Sequence, residues 1–195
     1  MISCDIDVKA LVDIGSLVVA TVVAIFGILK IKSEIEQSRE QRIEDLRWRK
    51  AQAGKTLNDE MLADRRADDA MRMLDYGGRT YSIKEDETTK IKTPEMLHAL
   101  RIENLTFTPT ETFIRDSFDQ LFYHMGNFEQ SIRSKFVEFS DVENPVGYYV
   151  NRLAKNRPVF EKYLVRYELI LAQAFLDRFA TWNNTELIKT AGSVR

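Results

Sequence analysis

From Ile14 to Leu29 the chain carries no charged side chain, and extending the run back to Ala10 admits only Asp13. A run of about twenty such residues, at roughly 1.5 Å per residue, covers a hydrocarbon core of roughly 30 Å. Val18, Val19, Val22, Val23 and Ile25 are β-branched. In lipid, however, an isolated span must satisfy its own backbone groups, which leaves the helix as its one option. The sequence therefore predicts a transmembrane helix over residues 10–29, behind a short tail of residues 1–9, with Asp13 at headgroup level. A cleaved signal peptide would need a basic start and a small-residue cleavage site. Here Asp5 and Asp7 mark the start and Lys30 follows the run. A core helix is less favoured again, because no face of the run is polar.

Basic residues set the orientation. Only Lys9 precedes the run, whereas Lys30, Lys32, Arg39, Arg42, Arg47, Arg49 and Lys50 follow it. The positive-inside rule then places the C-terminal part in the cytoplasm, at the inner (plasma) membrane. The Asn104-Leu105-Thr106 and Asn183-Asn184-Thr185 sequons would be idle there. The single cysteine, Cys4, excludes a disulfide within the chain, and a free or palmitoylated thiol stays open. Residues 30–55 hold eight basic and five acidic side chains. Topology and stalk solubility account for that excess. A sharper reading has Lys30, Lys32, Arg39 and Arg42 meeting anionic lipid headgroups. A formal net charge of -2 and the interleaved glutamates argue against nucleic acid.

Residues 30–52, free of proline and glycine, read as a charged juxtamembrane helix with ion-pair spacings at Glu36/Arg39, Glu44/Arg47 and Asp45/Arg49. Ile31, Ile35, Ile43 and Leu46 make a broken apolar stripe, which favours a solvated stalk and leaves short self-association into a homo-oligomer open. Residues 53–182 read as one helical domain that begins to pack near Trp48. Ala67, Ala70, Met71 and Leu74 fall at i, i+3, i+4, i+7, and Gly77-Gly78 stops that helix. Arg79 to Lys92 holds two β-prone runs around Glu85-Asp86-Glu87, a small hairpin or a plain loop. Thr93-Pro94 opens a short helix. Thr108-Pro109-Thr110-Glu111 has capping-box spacing ahead of Ile114, Phe118, Leu121, Phe122 and Met125, with Phe128, Ile132 and Phe136 beyond. Ser140 and Glu143 repeat that spacing. Pro158 precedes a stripe of Phe160, Tyr163, Leu164, Tyr167, Ile170, Leu171, Ala174 and Phe175 that predicts one helix to Trp182. Residues 183–195 read as a flexible tail.

Candidate chemistry is sparse. Gly54-Lys55-Thr56 resembles the end of a phosphate-binding loop, but Arg49 stands where the first glycine belongs and the context is helical. Glu95 and His98 have the Glu-x-x-His spacing of di-metal bundles without the second copy such a site needs. Neither supports a cofactor or a metal, and catalytic residues are not assigned. Arg65, Arg66, Asp68, Asp69, Arg72, Asp75 and Arg79 read as an ion-paired exposed face, or as a buried network fixing helix register. For contact with a protein partner, the segment Gly77 to Lys92 is the first candidate. It sets Tyr81 and Ile83 beside Glu85 and Asp86 between two helical regions.

Trp48-Arg49-Lys50-Ala51, the run Ala70 to Arg79, Ile114-Arg115-Asp116, Phe118-Asp119 and Tyr148-Tyr149-Val150 together resemble a group of uncharacterised bacterial single-pass membrane proteins with a cytoplasmic helical domain. The resemblance covers roughly Arg47 to Phe179 and implies architecture alone. The sequence thus predicts a mainly α protein: an anchor, a charged stalk and a helical bundle. The expected role is a non-catalytic interaction or regulatory domain with an unknown protein partner. An oligomerising membrane effector of a stress or anti-phage response is the alternative.

Overall fold

The computed structural model of the chain describes the backbone of residues 8–84 and 87–192 and the side chains of residues 26–27, 29–83 and 87–181. In order, the elements are α1 (Val8–Ala63), α2 (Arg65–Asp75), β1 (Gly78–Lys84), β2 (Glu87–Lys92), α3 (Thr93–Ala99), α4 (Pro109–Arg133), α5 (Phe139–Ala154), α6 (Arg157–Arg166) and α7 (Ile170–Gly192). The protein is mainly helical. The stretch Arg79 to Lys92, whose two β-prone runs fit a hairpin or a plain loop, belongs to an antiparallel hairpin that pairs Gly78 with Lys92 and Tyr81 with Thr89.

The chain divides into two compact units, residues 1–48 and 49–195. In the first, α1 is helical from Val8 and every described side chain is exposed. Most of the run 10–29 has its side chains outside the described residues. Among the described residues, no helix is long and apolar enough to cross a membrane. Trp48 does not begin the packed domain: its indole is 66% exposed. Packing starts with the half-buried Ala53 and Leu57 and the fully buried Met61. Gly54 fits here because a Cβ at that position would lie 2.6 Å from the Asp141 carbonyl oxygen. Only a residue without a side chain lets the α1 backbone come so near the start of α5.

The second unit is organised around α4. Its start follows the sequence signal: the Thr108 hydroxyl accepts from the Glu111 N–H at 3.2 Å, and the Glu111 carboxylate accepts from the Thr108 N–H at 2.8 Å. Phe113, Ile114, Phe118, Leu121, Phe122, Met125 and Phe128 are all buried along it. The residues Ala67, Ala70 and Met71 of α2 and Ala172, Phe175 and Phe179 of α7 close over the same core. From α6, the Phe160 ring comes within 5.5 Å of Phe118 and 6.2 Å of Phe122, centroid to centroid, in tilted and edge-on contacts that aromatic pairs favour.

Four boundaries differ from the pattern reading. α2 ends at Asp75 on an extended Tyr76, and no described glycine has a positive φ, so Gly77-Gly78 open the hairpin instead of capping a helix. α4 ends at Arg133 and the chain turns through Lys135 at φ 59°, which leaves Phe136 68% exposed although its spacing matches the stripe. α5 is capped by Glu138 with Asp141, two residues earlier than Ser140 and Glu143 would place it. It breaks at Asn144, which the following Pro145 drives to extended φ/ψ. The helix expected from Pro158 to Trp182 is two helices. Glu168 takes a φ of 54°, the Leu169 N–H bonds the Leu164 carbonyl at 2.9 Å, and Ile170 faces solvent at the reversal. Backbone helix continues through Gly192, across most of the expected tail.

Candidate functional site

The partner-contact candidates separate. Tyr81 points inward from β1, is buried, and meets the Phe113 ring at 6.2 Å. It is a core residue and not the exposed recognition residue expected of it, because the alternation of the strand turns it onto α4. Burial pushes its hydroxyl up to about 12, and that oxygen has no hydrogen-bond partner among the described residues. Ile83 is half-buried against the same core. Glu85 and Asp86 lie outside the described residues. The headgroup candidates Lys30, Lys32, Arg39 and Arg42 are all exposed along α1, with Lys30 3.9 Å from Glu34 in an i,i+4 pair.

Other motifs resolve into local structure. Gly54-Lys55-Thr56 lies inside α1, and Lys55 pairs with Asp59 one turn on. The carboxylate of Glu95 accepts from the Lys92 N–H at 2.9 Å as a cap, and His98 is an exposed neighbour of Glu111 at 3.6 Å. Among the described residues, no three His, Cys, Asp or Glu side chains are grouped to hold a metal ion.

Several polar groups tie elements together. Arg115, the most buried arginine of the described core, donates to the Ala99 and Arg101 carbonyls at 2.9 and 3.1 Å. Its guanidinium sits 4.1 Å from the Phe107 ring centroid, 4.9 Å from that of Tyr163 and 5.0 Å from that of Tyr167. Three π faces and two carbonyls stabilise the cation, and the Asp119 carboxylate is close enough to feel its charge. Beside it the Tyr163 hydroxyl donates to Asp119 at 2.8 Å, and burial raises that carboxyl above its ordinary value. Arg101 donates to Glu111 and stacks on Phe107, and the charge-assisted bond from Arg101 holds Glu111 down at about 2. Asp64 caps α2 through the Arg66 and Ala67 N–H groups and lies 3.2 Å from His124 on α4. Burial opposes the charged form of Asp64, and its hydrogen bonds outweigh this and lower its pKa. Of the charged set around α2, only part is buried: Arg66 lies over the Phe113 ring at 4.6 Å, while Arg72 and Asp68 pair at 2.6 Å on the half-exposed face.

One concavity is apolar and open. The helices α5, α6 and α7 enclose about 310 Å3 between Val150, Leu153, Phe160, Leu164, Leu176 and Phe179. That is at the lower end of the roughly 300–1,000 Å3 that ligand pockets occupy. Its rim is polar: Arg157 bonds Asp177 at 3.1 Å and lies 3.6 Å from Glu161. With Arg157, the one cation among the described lining residues, answered by two carboxylates, the rim favours a neutral or cationic occupant. Phe179, one of the lining residues, packs against Gly147, where a Cβ would stand 2.7 Å from two atoms of its ring. Sequence patterning could name these residues as apolar. It could not show that three helices leave a gap among them.

No protein family, curated protein or solved structure matches the chain. Residue roles therefore rest on the geometry alone.

Proposed function

We propose that the chain is a membrane-tethered, non-catalytic interaction protein whose cytoplasmic domain takes an apolar anchor of a partner protein in the α5–α6–α7 pocket. The observation that carries this reading is the pocket itself: an open apolar cavity of about 310 Å3 bordered by three helices. Fully desolvated pockets that accept one large side chain are where binding energy concentrates at protein interfaces. The tether is supported by the uncharged run Ile14 to Leu29 and the basic residues after it. The exposed Lys30, Lys32, Arg39 and Arg42 would then lie within reach of anionic headgroups. The test is to narrow the pocket mouth with Ala180→Trp, an exposed lining residue, and to purify the detergent-extracted chain with its bound proteins. Partner proteins should be lost while the melting transition stays in place. An unchanged set of bound proteins sinks the proposal.

A second reading, an oligomerising membrane effector, is favoured by one observation: Phe26, Leu29, Ile31, Ile35, Ile43 and Leu46 are all more than half exposed on α1. Exposed apolar side chains on a helix leave short self-association open, although these six make only a broken stripe. Overexpression that depolarises cells, abolished by Ile35→Glu with Ile43→Glu, would favour it over the adaptor reading.

A further inference from the structure

Glu129 lies one turn before the end of α4 and is 1% exposed, a position where a lone carboxylate is costly. Two guanidiniums answer it. Arg178 from α7 grips it with two bonds of 2.8 Å, and Arg133, one turn along α4, donates to one of the same oxygens at 2.7 Å. Burial opposes the charged form of Glu129, and the bonds from Arg178 and Arg133 outweigh it, so the carboxyl is held below its ordinary value. A single negative charge thus gathers two positive ones within a few ångströms.

Each guanidinium carries five N–H donors, and three of the combined set are spent on Glu129. The others have no acceptor among the described residues. Both side chains stay in reach of solvent, 49% exposed at Arg133 and 40% at Arg178. They border a cleft of about 980 Å3 between the end of α4, the start of α5 and α7. Lys135, on the turn after α4, lines the same cleft without an ion pair among the described residues. The other lining charges are answered: Lys50 bonds Glu138 at 2.7 Å, and Asp177 bonds Arg157 at 3.1 Å. The carboxyl end of α4 and the amino end of α5 both open here, so their opposed dipoles offset. The residual charge belongs to Arg133, Arg178 and Lys135 against Glu129.

From this geometry we infer that the cleft is an anion site for a phosphate group, with Glu129 holding the two guanidiniums side by side in the fork arrangement that phosphate oxygens accept. Arg178 is fixed by its paired bonds, Arg133 supplies the mobile second fork, and Lys135 adds a point charge. The phosphate is either free in solution or the headgroup of an anionic lipid.

The full-length chain in neutral detergent micelles tests this through its melting temperature and by calorimetry. The probes are inorganic phosphate and, separately, micelles doped with phosphatidic acid. Arg133→Gln with Lys135→Asn removes two cations, asparagine being tolerated at the positive φ of residue 135. Binding should weaken at least about tenfold in this variant, as expected for lost charge-assisted bonds. A response to inorganic phosphate assigns a free phosphate, and a response only to phosphatidic acid assigns a headgroup. Absence of both in the unmodified chain, or a response that survives Arg133→Gln with Lys135→Asn, overturns the site and leaves Glu129 as a clamp between α4 and α7.

Discussion

Removing the charge of Glu111 alone should make the stability of the domain lose part of its dependence on pH. The Glu111 carboxyl is held at about 2 against an ordinary 4.5, chiefly by the bond from Arg101 and then by the Thr108 N–H. The whole shift corresponds to about 3 kcal/mol. Solvent beside the pair screens it, so about 1–2 kcal/mol is the expected net contribution. A depressed acid stabilises the fold above its unfolded pKa, and that stabilisation is lost as pH falls from about 4.5 toward 2. Glu111→Gln is the appropriate perturbation, because glutamine still closes a capping box from N3 while losing the charge. Urea unfolding of the full-length chain in detergent, followed by circular dichroism at several pH values, measures the gap between the two proteins. It should be about 1–2 kcal/mol near pH 7 and close to nothing near pH 2. A gap that stays constant between those values would refute the assignment of the shift to the Arg101 pair.

Phe118→Ala should cost about 3–5 kcal/mol in the same unfolding assay, because the ring is fully buried between Phe122 and Phe160; a loss under about 1 kcal/mol would mean that this stripe is not the core. Tyr81→Phe should be neutral or stabilising by about 1 kcal/mol, since it deletes a buried hydroxyl with no partner. Tyr81→Ser should unfold readily, and the reverse order would return Tyr81 to the surface. Gly147→Ala should destabilise by about 1–3 kcal/mol through overlap with Phe179, and Phe179→Leu in the same chain should recover part of that loss.

Local signals were legible where the chemistry is local. Thr108 and Glu111 satisfy each other's backbone groups within one turn, so the start of α4 could be read directly, and the apolar spacing behind it marked the core. Spacing failed where the chain reverses without proline or glycine. Phe136 and Ile170 sit in register with their stripes, but Lys135 and Glu168 take left-handed φ values and turn both side chains outward. Tyr81 was misread because a hairpin face is set by which neighbour it meets, here α4. The Glu129 cluster joins residues 49 apart, and the Arg115 cage gathers rings from the loop before α4 and from α6. No periodicity encodes such meetings. The apolar pocket is less legible still, since it is made of what the packing of three helices leaves unfilled.

A partner protein anchored in the α5–α6–α7 pocket and a chain held at a membrane are the two parts of the proposal. A photo-crosslinking residue placed at Ala180 in living cells tests both parts at once, with the same residue at the exposed Tyr123 as reference. A discrete adduct with another protein is expected from position 180 and none from position 123, recovered in the membrane fraction after alkaline carbonate washing. Equal labelling from both positions, no adduct from position 180, or an adduct released by the carbonate wash would contradict it.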